Sequence, residues 1–498
     1  MHWQNLKQFE GEEATPHARS MIESFRSIGY SLSTAVADII DNSISASCKN
    51  VWIDFQWKGP DSFLRITDDG NGMTESELVN AMRPGAKNPL EDRKEGDLGR
   101  FGLGLKTASF SQCRSLTVST KSASDKLFYR AWNLDYVSNT GKWALLNFLN
   151  DESSIDRLSS LSKGTTVIWE EMDRLVSGTK VENEDDMNNF LAEIKEMEMH
   201  LQMVFHNYLQ DRKISIWIMD RKLDPWDPYL ITSTSTKIVG EYKLRDGIEV
   251  VSFVLPHHSQ ISKDIFDLGS WIKGWTAHQG FYIYRNQRMI IDGEWLGMYK
   301  QEEHLKLARI SVNVPGTVAL DREWQLDIKK SVITLPYDIR QELKRIAEST
   351  RKEAVEVYRQ IGKSKRKRSE KEDTPVWIQH KWNGKRSYQI NKEHPIIKIF
   401  LEENLDRKTK TSRLFRLIEE TIPLPMIIIN ESENLDSQNL PFEGKSLADL
   451  ILMVVDLFQE LIKGGFNKED ALLEILRTEP FNHYPELAEQ LDELKNED

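Results

Sequence analysis

The sequence predicts an α+β fold on two observations. Short segments of alternating apolar and polar residues follow one another between residues 51 and 170, which is typical of half-buried strands. An apolar pattern of helical spacing precedes them, formed by Val36, Ile39, Ile40 and Ile44. Helices inserted early among successive strands favour an α+β layer over a strictly alternating parallel sheet.

The first predicted domain covers residues 1–178. It begins with helix over residues 17–47, with a break at Gly29. Six predicted strands follow, with the sequences VWIDFQW from Val51, FLRIT from Phe63, SLTVSTK from Ser115, LFYRAW from Leu127, WALLNF from Trp143 and TTVIWE from Thr165. The polar, acidic segment 177–189 then marks a domain boundary.

A second α/β domain is predicted over residues 190–360. The helix HLQMVFHNYL and the strand KISIWIMD open it, and GFYIYRNQRMIIDG reads as a hairpin that turns at residues 285–287. A long charged helix over residues 335–359 closes it. Residues 361–376 read as a charged linker, and residues 377–498 as a mainly helical domain.

Composition and charge restrict the class of protein. A chain of 498 residues is long enough for about three domains. Its net charge of −12 provides no general attraction to nucleic acid or membranes, so a DNA contact would need a local basic patch. The most apolar run, residues 447–462, is too short and too charged to span a bilayer. The two cysteines, Cys48 and Cys113, indicate a reducing compartment, and we expect a cytoplasmic protein.

The helix over residues 33–45 carries polar side chains on one face. Asp38, Asn42 and Ser45 are spaced i, i+4 and i+7, so they lie on the side opposite the apolar residues. A carboxylate one turn before a carboxamide can polarise a water and offer an amide oxygen to Mg²⁺. A solvated polar face is the alternative interpretation.

Two glycine-containing motifs follow. DDGNGM comes directly after a predicted strand, which places Asp68 at the strand end, before a turn at Gly70 and Gly72. DLGRFGLGLKTASFS then puts three glycines where an apolar helix should begin, although glycine costs a helix interior about 1 kcal/mol. Free N–H groups at such a helix start bind phosphate. An ordinary turn explains either motif equally well when it is taken alone.

The three motifs, in this order, resemble the GHKL ATPase superfamily, which includes gyrase B, the MutL repair ATPases, a heat-shock chaperone and histidine kinases. KGTTVIWEE resembles the last nucleotide-binding motif of that superfamily, and the resemblance covers about residues 20–175. GRFGLGLKTASFS is similar to the MORC version of the glycine loop. The segments SFRSIGYSLSTAVADIIDNSISA, HLQMVFHNYL, DPWDPY, GFYIYRNQRMI and WQLDIKKS are similar to prokaryotic MORC-like proteins, to about residue 360.

The resemblance implies a Bergerat-type ATP-binding α/β sandwich, a transducer-like domain of the ribosomal S5 type and a mainly helical C-terminal region. It also implies roles for single residues. Asn42 would bind the Mg²⁺ of the triphosphate, Asp68 would accept from the adenine amino group, and Met73 would pack near the base. Gly70 and Gly72 would open the lid over the nucleotide.

The same resemblance assigns phosphate contacts and the catalytic groups. The phosphate-binding residues would be Gly99, Arg100, Phe101, Gly102, Leu103, Gly104 and Lys106, and Thr166 would join the water network at the adenine. The general base would be Asp38, where the family usually has Glu, and the shorter side chain predicts slow hydrolysis. A transducer lysine that contacts the γ-phosphate would be Lys329 or Lys330. The sequence does not choose between them, and a surface lysine is the alternative.

By resemblance, the protein is expected to be a Mg²⁺-dependent ATPase that acts as an ATP-gated dimeric clamp on DNA, within a prokaryotic defence or restriction-associated system. The C-terminal region would bind protein partners. The basic run at residues 363–368 reads either as a solvated linker or as a DNA phosphate contact. A nucleotide-sensing scaffold with little turnover is the alternative function. A histidine kinase is disfavoured because only about 30 residues precede the first motif, and a type II topoisomerase subunit because nothing after residue 375 suggests its cleavage tyrosine.

Overall fold

A computed structural model describes most of the chain, and the fold is given for these residues alone. They are residues 15–86, 104–123, 126–233, 235–257, 260–325, 333–359, 374–382, 385–403, 408–423 and 447–481. The chain divides into two compact units, Met1–Arg359 and Gln360–Asp498.

A seven-stranded sheet forms the base of the first unit. Its strands are β1 (Asn50–Gln56), β2 (Phe63–Asp68), β3 (Ser115–Lys121), β4 (Leu127–Asn133), β5 (Gly164–Glu170), β6 (Ser215–Ile218) and β7 (Arg221–Lys222). The spatial order is β4-β3-β5-β2-β1-β6-β7. Neighbouring strands are antiparallel except β1 and β6, which are parallel. The strand ends of β2 and β5 therefore meet at one edge, where Asp68 pairs with Thr165.

Helices accompany this sheet, and along the chain they lie before, between and after its strands. They are α1 (Ala18–Arg26), α2 (Leu32–Ser45), α3 (Glu75–Met82), α4 (Gly104–Gln112), α5 (Leu134–Thr140), α6 (Asp156–Ser160), α7 (Asp173–Val176), α8 (Glu184–Val204) and α9 (His206–Gln210). Helix α2 begins at Ser31, whose side chain accepts a hydrogen bond from the Thr34 N–H as an N-cap. Its apolar residues Val36, Ile39 and Ile40 are buried in the first core.

A second, five-stranded sheet follows within the same unit. It consists of β8 (Lys237–Lys243), β9 (Glu249–Val254), β10 (Gly280–Arg285), β11 (Arg288–Glu294) and β12 (Ala308–Val314), in the order β11-β10-β12-β9-β8. The accompanying helices are α10 (Lys263–Ser270), α11 (Gly274–Ala277), α12 (Val318–Glu323) and α13 (Tyr337–Arg359). Because side chains alternate along a strand, β10 joins two cores. Tyr282 and Tyr284 belong to the first core, and Phe281 and Ile283 to the second.

The second unit is mainly helical, with one two-stranded hairpin. Its elements are β13 (Trp377–Trp382), β14 (Lys385–Ile390), α14 (Pro395–Glu403), α15 (Lys408–Glu420), α16 (Leu447–Lys463) and α17 (Lys468–Ile475). Helix α16 ends before Gly464 and Gly465, and the latter has a positive φ of 90°. Within the part of the chain that the structure describes, no helix is long and apolar enough to cross a membrane.

The predicted α+β class is confirmed, and the element predictions are correct with two differences. Residues 143–148 do not form a strand, because only Leu146 pairs there, in a single bridge to Ala131. The predicted strand KISIWIMD exists as β6, but it pairs with β1 of the first sheet rather than with the second sheet. Alternation alone identifies a strand without naming its neighbour, so this pairing was not visible in the sequence.

Candidate functional site

Helix α2 presents two polar side chains on one face. Asp38 is buried and accepts a hydrogen bond at Oδ2 from the Tyr30 hydroxyl, at 3.0 Å. Asn42 lies one turn later and is exposed. Tyr30 stands immediately before the N-cap of the helix, so the start of α2 itself orients the Asp38 carboxylate. The face expected from the i, i+4 spacing therefore offers a fixed carboxylate beside an accessible amide.

Asp68 ends strand β2 and is bonded to helix α2. The Ser43 hydroxyl donates to its Oδ2 at 2.8 Å, and the Gly70 N–H donates to its Oδ1 at 2.9 Å. Burial raises the pKa of Asp68 to about 6, although both hydrogen bonds act in the opposite direction. Among the described residues, no basic side chain forms an ion pair with Asp68, and a buried unpaired carboxylate is expensive, which favours a functional role over a structural one.

The turn after β2 requires glycine at two positions. A Cβ on Gly70 would lie 2.8 Å from Asp68 Oδ1 and 2.9 Å from the Ala46 Cβ. Gly72 has a φ of +66°, and a Cβ there would lie 2.0 Å from the Lys121 carbonyl oxygen. The turn is thus pressed against both α2 and β3. Met73 follows it, and its N–H donates to Thr120 Oγ1 at 2.9 Å.

Thr166 lies beside this turn on strand β5. It is fully buried, and its hydroxyl is 3.0 Å from that of Thr67, its partner in the β2–β5 register. Gly164 precedes it with a φ of +152°, and a Cβ there would lie 2.1 Å from the Asp68 carbonyl oxygen. The strand tips of β2 and β5 therefore approach so closely that only glycine fits between them.

Helix α4 brings the end of the glycine motif to the same place. A Cβ on Gly104, its first residue, would lie 3.6 Å from Asp38 Oδ2. The structure therefore brings together four of the predicted motifs, at Asp38, Asp68, Gly104 and Thr166. Seven predicted site residues lie outside the described residues, namely Gly99, Arg100, Phe101, Gly102, Leu103, Lys329 and Lys330.

Lys106 has a definite bond in the structure. It is buried, and its ammonium donates to the Ala81 carbonyl oxygen at 2.9 Å, in the last turn of α3. The indole N–H of Trp132 donates to the neighbouring Met82 carbonyl at 3.1 Å. A cation at a helix C-terminus is electrostatically favourable. Lys106 thus connects the start of α4 with the end of α3, a contact that sequence spacing did not indicate.

Asp41 precedes Asn42 on α2, and its partner is a residue that sequence reasoning did not single out. Arg288 Nε donates to both carboxylate oxygens of Asp41, at 3.2 and 3.1 Å. The two residues are 247 positions apart in the chain. No motif or spacing connects them, so only the folded structure could reveal the pair.

The comparisons with known proteins agree with this geometry. Residues 30–165 match a family model described as "Histidine kinase-, DNA gyrase B-, and HSP90-like ATPase". This part of the chain is similar to the GHKL ATPase superfamily. The GHKL match begins at Tyr30 and ends at Thr165, so it includes every described site residue named above except Thr166 and Arg288.

Two curated relatives match shorter parts of the chain. One is the "ATPase morc-1" of Caenorhabditis elegans, 33% identical over 88 residues, which cover 18% of this chain and 10% of that protein. The other is the "DNA mismatch repair protein MutL" of Clostridium perfringens, 33% identical over 60 residues, which cover 12% and 9%. The matched part thus spans about a tenth of each relative's length. The resemblance to the GHKL superfamily and to MORC-like proteins is confirmed.

The donor set of the GHKL site suits a magnesium nucleotide. The exposed Asn42 offers an amide oxygen, which is a hard ligand of the kind Mg²⁺ prefers. Asp68 offers a carboxylate acceptor of the kind that an adenine amino group requires. Asp38 shares a helix face with Asn42 and lies next to the first residue of α4, where a carboxylate can take a proton from a water.

Proposed function

We propose that this chain hydrolyses ATP with Asp38 as the general base. The observation that carries the proposal is the position of its carboxylate. Oδ2 is bonded to Tyr30, faces the start of α4 at Gly104 and shares a helix face with Asn42. A base needs to lie within hydrogen-bond reach of the attacking water, and a helix start is where phosphates bind.

Asp68 would select the base of the nucleotide. Its carboxylate accepts from the adenine N–H, while Ser43 and Gly70 keep it in position. Asn42 would hold the Mg²⁺, which neutralises charge on the phosphates when bound. Gly99, Gly102 and Gly104 would present backbone N–H groups to the phosphates, with Arg100, Phe101 and Leu103 in the same loop. Lys106 would support that loop through the start of α4.

Hydrolysis is proposed to be slow. Aspartate is one methylene shorter than the glutamate usual in the family, and a misplacement of about 1 Å can cost ~10²-fold in rate. Lys329 or Lys330 would contact the γ-phosphate from the second domain. A second candidate function, a nucleotide-sensing scaffold with little turnover, is favoured by this same short carboxylate at position 38.

We further propose that ATP closes a homodimeric clamp on DNA. ATP can drive closure only if it binds the closed dimer more tightly than the open form. The support is the similarity to a MORC ATPase and to a DNA mismatch repair protein. The C-terminal unit would bind protein partners, since α15 exposes Leu414, Leu417 and Ile418. A defence or restriction-associated role remains part of this proposal.

The deciding experiment compares Asp38→Ala with the wild-type protein. We expect the variant to bind a non-hydrolysable ATP analogue with unchanged affinity and to lose turnover at least ~10²-fold. Asp135→Asn is the matched control, because Asp135 pairs with Arg114 away from the site. Full turnover in Asp38→Ala would reject the assignment. Nucleotide binding without turnover in the wild-type protein would favour the scaffold. Turnover and oligomeric state, each with and without DNA, test the clamp.

A further inference from the structure

The hairpin of β10 and β11 connects the second sheet directly with helix α2. Arg288, the first residue of β11, donates from Nε to both oxygens of Asp41. The two side chains are 5% and 1% exposed, so the ion pair is closed to water. Arg288 Nη1 donates to the Met289 carbonyl at 2.9 Å, which fixes the guanidinium on its own strand.

A buried ion pair of this kind fixes the relative position of its two residues more than it stabilises the fold. The cost of removing two charges from water roughly cancels their attraction, so a buried ion pair is weak evidence for a gain in stability. Its hydrogen bonds nevertheless allow only a narrow range of positions for both partners. Asp41 lies between Asp38 and Asn42 on α2, so a rotation or shift of α2 that breaks the pair also moves those two side chains.

The hairpin that presents Arg288 is itself held at several points. Its turn residues Asn286 and Gln287 have positive φ values of 48° and 68°. The Tyr208 hydroxyl donates to the Asn286 carbonyl at 2.7 Å. The Gly316 N–H donates to Asn286 Oδ1 at 2.8 Å. Arg288 is therefore presented from a support that is anchored both on helix α9, whose Tyr208 packs against the first core, and on the segment that follows β12.

We propose that Arg288 is a positioning residue for ATP hydrolysis. Through Asp41 it fixes the rotation and height of α2, and so places Asp38 against the attacking water. The inference rests on the proposed function, in which Asp38 is the base. The ion pair thus connects the second sheet directly with helix α2, which carries the proposed base Asp38.

The test separates turnover from binding. Arg288→Lys keeps the charge but loses the Nε–H that donates to both oxygens of Asp41 and the Nη1–H that donates to the Met289 carbonyl. We expect kcat to fall at least about tenfold, while the Kd for a non-hydrolysable ATP analogue changes less than about twofold. Arg65→Lys is the matched control, since Arg65 pairs with Asp54 between β1 and β2, away from α2. Its kcat should stay within about twofold of the wild-type value.

A charge swap provides the rescue. Arg288→Asp alone should lower kcat further than Arg288→Lys, and the double variant Asp41→Arg with Arg288→Asp should recover part of the loss, because it restores an ion pair of similar volume. Unchanged kcat in Arg288→Lys overturns the inference and leaves the proposed function standing. If kcat and affinity fall in parallel, Arg288 has only a structural role, and the inference is overturned as well. Wild-type protein without turnover overturns the proposed function itself.

Discussion

The Ser43 hydroxyl lies 2.8 Å from Asp68 Oδ2, so helix α2 and strand β2 are joined inside the candidate site. Ser43 follows Asn42 directly, and Asp68 is the residue proposed to bind adenine. The adenine would thus be bound by Asp68 and the Mg²⁺ of the phosphates by Asn42, and the Ser43–Asp68 hydrogen bond connects these two binding groups. This bond gives the site a rigid frame between the base and the phosphates.

Asp68 is expected to lower the stability of the protein at neutral pH. Its folded pKa of about 6 lies above the unfolded value of about 3.9, so the folded state binds more protons between these values. The contribution of Asp68 to the free energy of unfolding should therefore decrease as pH rises from 4 to 6. Above pH 7, Asp68→Asn should unfold at a free energy higher by about 1–3 kcal/mol, and below pH 4 the gain should disappear.

Urea unfolding of both proteins at several pH values measures this difference. Asp69→Asn is a suitable control, since Asp69 accepts from the Lys49 and Asn50 N–H groups at 2.6 and 2.9 Å and should be stabilising. If the free energies of unfolding of Asp68→Asn and the wild-type protein differ by the same amount at every pH, the raised pKa of Asp68 is not the cause of the difference.

Nucleotide affinity should depend on the same ionisation in the opposite sense. The ionised carboxylate accepts from the adenine N–H, whereas the protonated form carries a competing donor. As pH falls below 6, the affinity of the wild-type protein for ATP should weaken by up to about tenfold per pH unit. Titration of the phosphates affects Asp68→Asn equally, so the ratio of the two affinities isolates Asp68. A ratio that stays constant from pH 5 to 8 would show that Asp68 does not titrate at the base.

Two glycine substitutions should have opposite effects. Gly104→Ala places a methyl group 3.6 Å from Asp38 Oδ2, an ordinary contact, and raises helix propensity by about 1 kcal/mol. We expect this variant to fold at least as stably as wild type and to lose turnover, because the methyl group occupies space beside the base. Gly72→Ala should instead destabilise the protein by more than about 2 kcal/mol, through its positive φ and its contact with Lys121.

Thermal unfolding and ATP turnover of the two variants test this contrast. Gly141→Ala is a control for positive φ alone, since its φ is +67° and a Cβ there would meet open space. Equal turnover in Gly104→Ala and wild-type protein would remove the start of α4 from the reacting centre.

Much of the site was predictable because its residues lie in local motifs. The spacing of Asp38 and Asn42 on a helix, and of Asp68 and Gly70 after a strand, is set by backbone geometry within a few residues. The contacts that connect the motifs are different in kind. The bonds Ser43–Asp68 and Asp41–Arg288 join residues 25 and 247 positions apart. They depend on how the elements pack, and hydrophobic periodicity carries no information about that.

The same distinction explains the two differences in the fold. Residues 143–148 alternate like a strand, yet they make one bridge, because a strand also needs a neighbour with free backbone groups along its length. Strand β6 was recognised by its alternating isoleucines, but its parallel pairing with β1 crosses more than 150 residues of chain. Local pattern identifies the element, whereas pairing is a property of the whole fold.

The hydroxyl of Tyr30 is expected to increase turnover without contributing to nucleotide affinity. It donates to Asp38 Oδ2 at 3.0 Å, and Tyr30→Phe would leave the ring in the first core while removing this hydrogen bond from the carboxylate. Because the carboxylate loses this one hydrogen bond, we expect kcat to fall about tenfold, with the Kd for a non-hydrolysable analogue within about twofold of wild type. Tyr282→Phe is the control, because it removes a buried hydroxyl that donates to the His278 carbonyl instead.

The basic run at residues 363–368 is expected to determine the salt dependence of DNA binding. It contains five lysines and arginines, which lie outside the described residues. Each phosphate contact contributes about −0.9 to the slope of log affinity against log salt concentration. Replacing all five by glutamine should therefore make the slope shallower by up to about 4.5. Glutamine at the exposed Lys344 and Arg345 of α13 is the control, and its slope should match wild type. An unchanged slope in the five-residue variant would identify the run as a solvated linker, and the DNA contact would then have to be sought elsewhere on the protein.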